Sequence, residues 1–184
     1  MYDTDKIKHG LIAEYEKIFA PLRNQELNIL EMGVYKGGSI AWMHGYFPYA
    51  QKIIGLDLAF PAESTHLVHD NSVVYRVCDQ NDSKALNDIG LEFGKFDIII
   101  DDGSHRYKET KNTFEQLFKY LKPGGLYIIE DFIAGYWPQY PEYFGLHELV
   151  FNIALNKNEH GISDFELILK EPKCSLAVFK KNEA

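Results

Sequence analysis

Two short acidic segments hold most of the chemistry this sequence offers: Asp101-Asp102-Gly103-Ser104-His105 and Glu130-Asp131. Each ends an apolar run, Phe96-Asp97-Ile98-Ile99-Ile100 in one case and Leu126-Tyr127-Ile128-Ile129 in the other. If those runs are neighbouring strands, four carboxylates and one imidazole meet on one rim. Carboxylates crowded in a cleft repel one another and resist full ionisation. A divalent cation relieves that repulsion, and oxygen ligands favour Mg²⁺, Mn²⁺ or Ca²⁺ over zinc. The plainer alternative is a solvated rim whose side chains splay apart. His105 titrates near neutral pH and follows a strand end and a glycine turn, which suits a general base. A purely structural histidine is its alternative.

A second group of residues suits a nucleotide-like ligand. The run Asn28-Ile29-Leu30-Glu31-Met32 leads into Gly33-Val34-Tyr35-Lys36-Gly37-Gly38-Ser39. Glycines let the chain turn tightly beside a ligand, and the helix that follows offers free N–H groups. The segment lacks the Gly-Lys-Ser/Thr of a Walker loop, and Tyr35 stands where G-x-G-x-x-G has its middle glycine. Both departures argue against a nucleoside triphosphate, nicotinamide or flavin reading. Asp57 ends the next run about 20 positions further on, where a carboxylate accepts two hydrogen bonds from a ribose diol. After the third run comes Asp79-Gln80-Asn81-Asp82. Asp82 reads as a helix cap, while Asp79 and Gln80 either face an adenine edge or only form the turn. Phe132, Tyr136, Trp137, Tyr140, Tyr143 and Phe144 crowd the loop after the fifth run. A substrate lid, an oligomer contact and a packed surface loop all remain open for them.

The elements that must position these groups follow from periodicity. Five apolar runs, at 28–32, 52–58, 73–78, 96–100 and 126–129, look like strands buried on both faces. Between them lie helical stretches at 39–46, 82–93 and 107–121. Lys122-Pro123-Gly124-Gly125 stops the last of these. Alternating strands and helices predict a parallel sheet with right-handed crossovers, whose ligands sit outside the C-terminal strand ends. In the tail, 141–156 reads as one helix, and the runs 165–170 and 174–179 are joined by only Glu171-Pro172-Lys173. So short a loop makes them antiparallel. Residues 5–20 read as an additional N-terminal helix. The prediction is an α/β fold in a single domain over 1–184.

Composition sets the outer bounds. The chain of 184 residues is 46% hydrophobic and 25% charged, which is ordinary globular usage. Its net charge of −8 matches nucleic acid and anionic membranes poorly. No apolar run approaches the ~18 residues of a membrane span, and the charged N-terminus has no signal-peptide core. A cytoplasmic location is therefore expected. Cys78 and Cys174 form no zinc motif and read as small buried strand residues, with a bridge between them requiring an oxidising compartment.

At this level of detail the motifs resemble a known family. Glu31-x-Gly33-x-x-x-Gly37 resembles motif I of class I S-adenosylmethionine-dependent methyltransferases, from which Tyr35 departs at one glycine position. The terminal hairpin is also that fold's mark, and implies a Rossmann-like seven-stranded sheet of order 3-2-1-4-5-7-6. More narrowly, the chain resembles the macrolide sugar O-methyltransferases of the mycinamicin and tylosin pathways and the cephalosporin hydroxylase-like family. The matching segments are Thr4-Asp5-Lys6 with His9, Leu30 to Ser39, Asp79-Gln80, Ile99 to His105 and Gly124 to Asp131.

The resemblance implies Mg²⁺-dependent (or Mn²⁺-dependent) methyl transfer to a hydroxyl of a sugar, a glycosylated natural product or a polysaccharide. It assigns Asp102 and Asp131 to the metal and His105 to the base. Glu16 is the candidate for a third acidic ligand lying before motif I. Around S-adenosylmethionine it places Glu31, Gly33, Tyr35, Gly37 and Ser39, and from the later strand ends Asp57, Asp79, Gln80 and Asp101. Those macrolide enzymes carry a separate N-terminal auxiliary domain, and this chain is expected to begin at the core without it. The small size and the aromatic loop predict a homo-oligomer. Two rival readings are a metal-dependent hydrolase or hydroxylase on the same rim, and an inactive binding subunit of the same fold.

Overall fold

The computed structural model describes residues 2, 4–60, 67–170 and 173–183. Its centre is a seven-stranded sheet of order β3-β2-β1-β4-β5-β7-β6. The strands are β1 (Asn28–Met32), β2 (Lys52–Asp57), β3 (Val73–Val77), β4 (Phe96–Asp101), β5 (Leu121–Glu130), β6 (Ile162–Lys170) and β7 (Cys174–Lys181). The first five pair in parallel, and β7 runs antiparallel to both β5 and β6. This is the order the resemblance implied. The Glu171-Pro172 part of the hairpin turn lies outside the described residues.

Alternation along the strands divides the core in two. Leu30, Met32, Ile54, Leu56, Ile99, Tyr127 and Ile129 pack on one face with α3 (Ser83–Phe93), α4 (Tyr107–Leu117) and α5 (Leu146–Leu155). Ile29, Ile53, Ile98, Ile100 and Ile128 pack on the other with α1 (Leu11–Phe19) and α2 (Gly38–Tyr46). Side chains of period two dictate this split. Leu11, Tyr15 and Phe19, each four residues apart, form the buried stripe of α1, with the Tyr15 and Phe19 rings stacked at 5.0 Å. Cys78 packs on the α3 face and Cys174 on the α1 face, so the sheet separates them and both thiols are free.

Three helix boundaries differ from the sequence expectation. The N-terminal helix starts at Leu11 rather than near residue 5, and the 141–156 helix is a short turn at Pro141–Tyr143 followed by α5 from Leu146. In each case a left-handed glycine, Gly10 (φ 82°) or Gly145 (φ 107°), interrupts the helical run. Helix α4 ends at Leu117, and after one 3₁₀ turn Leu121 already opens β5, so Pro123-Gly124-Gly125 lies inside the strand. The register of β4 against β5 shifts beside it, between Phe96 and Ile98. Strand β3 is an edge strand, and its residues are half-buried or exposed rather than buried on both faces.

Asp82 caps α3 as expected, its Oδ1 accepting the Ala85 N–H at 2.9 Å. Replacing Asp82 with alanine leaves that donor unpaired and is expected to cost about 1 kcal/mol in urea unfolding. An unchanged midpoint would show that water replaces the cap at no cost.

Candidate active site

The chain turns from β1 toward β2 and β3 on one side and toward β4 and β5 on the other, so β1 and β4 flank the switch point. A cavity of about 500 Å³ opens there. Gly33, Asp57, Leu58 and Asp79 line it together with Asp102, His105, Glu130 and Asp131.

The glycine loop is shaped by two contacts. Gly33 has φ 92°, and a Cβ there would collide with the Asp102 carbonyl. Only glycine lets the ends of β1 and β4 approach this closely. Asp57 Oδ2 then accepts the N–H groups of Val34 and Tyr35 at 2.9 and 2.8 Å. The aspartate expected at a ribose thus also holds the loop in place.

Strand register assembles the acidic rim. Met32 pairs with Asp101, and Asp101 with Ile129, so Asp102 and Glu130 leave adjacent strands at one level. Asp131 takes a left-handed conformation (φ 53°), and its N–H donates to the Ser175 carbonyl of β7 at 2.8 Å. His105 is left-handed too (φ 55°). Such conformations in non-glycine residues concentrate where surrounding structure holds a side chain to a task. Ligand atoms of Asp102, His105 and Asp131 lie within 4.8 Å of one another, with His105 Nε2 3.7 Å from Asp102 Oδ1. Asp131 Oδ1 is buried with no hydrogen-bond partner. A divalent cation of oxygen-ligand preference fits that unmet acceptor and those spacings.

The electrostatics agree with a crowded anionic site. Burial, then repulsion from Asp102 and Glu130, lifts Asp131 to about 8. Burial and the Asp102 charge lift Glu130 to about 7. Burial also raises Asp102, opposed by Lys6. His105 moves the other way: burial lowers its pKa, keeping the imidazole neutral and able to accept a proton at neutral pH.

Several residues expected around a cofactor also make contacts that hold the scaffold. Gln80 is 6% exposed; its amide donates to Asp101 Oδ1 and Thr113 Oγ1, and its oxygen accepts from Ser104 N–H at 2.7 Å. It lines the cavity, and its side chain also fastens the 101–104 turn to α4. Asp101 is 2% exposed and points to that same helix face. Burial lifts it to about 7. Glu31 is buried, its Oε2 accepting the Ser39 hydroxyl at 2.5 Å, which ties β1 to α2. Gly37 is the left-handed residue before α2 (φ 90°). Tyr35 lines the cavity mouth and is exposed, and Asp79 is exposed and closes the Asn81 turn.

Glu16 is a correction. It lies on the exposed face of α1, away from the rim, because the buried stripe of that helix is Leu11–Tyr15–Phe19. The acidic group beside Asp102 and Asp131 is instead Glu130. Sequence reasoning also gave no role to Lys6 or Tyr15. Lys6 Nζ donates to Asp102 Oδ2 at 2.5 Å and pairs with Glu130, and the Tyr15 hydroxyl donates to Glu130 Oε1 at 2.5 Å. The signal available was strand parity: Glu31 and Glu130 share the face of Ile29 and Ile128, the face that α1 covers.

Beyond the strand ends, the aromatic loop reaches His105. The Tyr143 ring lies 5.3 Å from His105, and Tyr140 stacks on Tyr143 at 5.4 Å. Among the described residues, no helix is long and apolar enough to cross a membrane.

Comparison with known proteins gives the same direction. Residues 30–132 match the family model described as a methyltransferase domain. Mycinamicin VI 2''-O-methyltransferase of Micromonospora griseorubida is 39% identical over 137 residues, 71% of this chain and 33% of that protein. Demethylmacrocin O-methyltransferase of Streptomyces fradiae is 36% identical over 138 residues, again 71% and 33%. The chain spans about a third of the length of these curated relatives. Its fold is similar to a methyltransferase from the mycinamycin biosynthetic pathway, solved in complex with Mg, SAH and mycinamycin VI. The TM-score is 0.72 at 30% identity, covering 93% of this chain and 49% of that one.

Proposed function

Since this chain belongs to the methyltransferase domain family, we propose that it is an S-adenosylmethionine-dependent O-methyltransferase acting on a sugar hydroxyl. The acceptor is a glycosylated natural product or a polysaccharide. The observation that carries this reading is the meeting of Asp102, His105 and Asp131 in the same cavity as Gly33 and Asp57. The relatives support it by name, since mycinamicin VI 2''-O-methyltransferase and demethylmacrocin O-methyltransferase are both O-methyltransferases. A hydrolase would use the acidic rim but has no use for the loop that Gly33 and Asp57 build. With its charge of −8, the chain suits a small cytoplasmic acceptor better than nucleic acid.

Each role follows from a placed group. Gly33 lets the cofactor approach the backbone, and Asp57 offers a carboxylate to its ribose diol. Asp102 and Asp131, with Glu130 beside them, would hold a Mg²⁺ ion, which would acidify a nearby hydroxyl and favour a vicinal diol over a lone alcohol. Neutral His105, next to Asp102, accepts the hydroxyl proton as the oxygen attacks the sulfonium methyl. The sulfonium supplies the activation, so the protein's share is alignment and deprotonation.

Calorimetric titration with S-adenosylhomocysteine, first in EDTA and then in excess Mg²⁺, tests the cofactor; micromolar binding is expected in both. Absence of binding in both conditions would overturn the reading. Asp57→Ala removes the ribose acceptor and the clasp on Val34 and Tyr35, and should weaken this binding roughly ten- to hundredfold. Undiminished affinity would show that the ribose sits elsewhere.

A further inference from the structure

A cation already stands among the rim carboxylates. Lys6 Nζ donates to Asp102 Oδ2 at 2.5 Å, pairs with Glu130 Oε1, and lies 3.5 Å from Glu31 Oε1. Oxygens of these three carboxylates lie within 4.8 Å of one another, close enough to hold a metal ion. The group formed by Asp102, His105 and Asp131 is equally close, and Asp102 belongs to both. The Lys6 side chain is only 5% exposed, so the carboxylates rather than water meet its charge. The Tyr15 hydroxyl completes the shell from α1 through Glu130.

We propose that Lys6 is a built-in competitor for the divalent cation of the rim, and that the ion loads by taking Asp102 and Glu130 away from it. The inference rests on the reading that this rim holds such an ion. Two cations within a few ångström of shared carboxylates repel each other and divide the same lone pairs. The ammonium therefore lowers the affinity of the site for a free ion while keeping the carboxylates of the empty site from driving one another apart.

Displacement of Lys6 has a structural consequence. Lys6 belongs to the turn before α1, in which the His9 N–H donates to the Asp5 carbonyl and the Ile12 N–H to the Lys6 carbonyl. Asp5, Lys6, His9 and Leu11 form a wall of the cavity. The Lys6 ion pairs anchor that wall to the strand ends. Cation loading and loosening of residues 4–10 are thereby one event, which ties the ion to access to the cavity.

The test is calorimetric titration of Mg²⁺ into the full chain and its Lys6→Gln and Lys6→Arg variants, at about pH 8.5 to limit proton competition. Lys6→Gln is expected to bind Mg²⁺ roughly tenfold or more tightly than the parent, and Lys6→Arg no more tightly. A lysine that merely orients the ligands would give weaker binding in Lys6→Gln, and that result overturns the proposal. Equal affinity in the parent and Lys6→Gln also overturns it and leaves the methyltransferase reading standing. If neither binds Mg²⁺, the proposal and the metal part of the reading fall together, and the S-adenosylhomocysteine titration decides the remainder. Hydrogen exchange on the parent chain needs no variant. Added Mg²⁺ should speed exchange at residues 5–10, whereas unchanged or slower exchange there counts against displacement.

Discussion

Replacing His105 with alanine is expected to lower methyl transfer by roughly 10²- to 10⁴-fold, with S-adenosylhomocysteine affinity essentially unchanged. The separation follows from position. His105 lies with Asp102 and Asp131, whereas Asp57 clasps the glycine loop through the Val34 and Tyr35 N–H groups. Burial lowers its pKa, so the imidazole is neutral where a base is needed. Activity should therefore fall on the acid side as the ring protonates, and that limb should vanish from the residual rate of the variant. Alanine is strained in the left-handed conformation His105 holds (φ 55°), which invites confusion with misfolding. His105→Asn removes the base in a residue that tolerates this conformation, and should reproduce the loss. Full turnover by either variant at neutral pH would remove His105 from the proton path.

Much of this site was legible because strands announce it. Apolar runs of the right length placed Asp57, Asp102 and Asp131 at strand ends, and the short hairpin loop forced the antiparallel finish. What adjacency in sequence concealed was parity. Asp101 and Asp102 stand side by side in the chain, yet Asp101 turns under the sheet to Gln80 while Asp102 turns to Lys6. A cluster of acidic letters therefore divides into buried fasteners and rim groups, and the alternation of the preceding strand tells which is which. Lys6 and Tyr15 were hidden for another reason. They come before the first strand, and their contacts with Glu130 span 124 and 115 residues of chain. No local pattern encodes where such a segment docks. Glu16 failed for the same cause: the helix was legible, but its rotation against the sheet was set by Leu11, Tyr15 and Phe19 packing together.

Asp131→Asn is expected to weaken Mg²⁺ binding by roughly a hundredfold and to abolish its pH dependence in large part. In the folded chain Asp131 is lifted to about 8 and Glu130 to about 7, against an ordinary carboxylate value near 4 in the unfolded chain. The folded state thus keeps protons that the unfolded state has released. Between about pH 4 and 8 the unfolded chain binds fewer protons, so stability without metal falls as pH rises through that window. Mg²⁺ reverses the trend by replacing those protons with a cation, so its affinity rises over the same interval. Thermal unfolding in EDTA and in excess Mg²⁺ at pH 6 and pH 8 would read both effects. The gain from Mg²⁺ should be larger at pH 8, and Asp131→Asn should lose most of it while becoming more stable than the parent in EDTA at that pH. The second result distinguishes a site built for an ion from a fold that needs the carboxylate. If the parent is the more stable chain in EDTA at pH 8, Asp131 contributes to the scaffold in its own right, and its unpaired Oδ1 is no mark of a ligand.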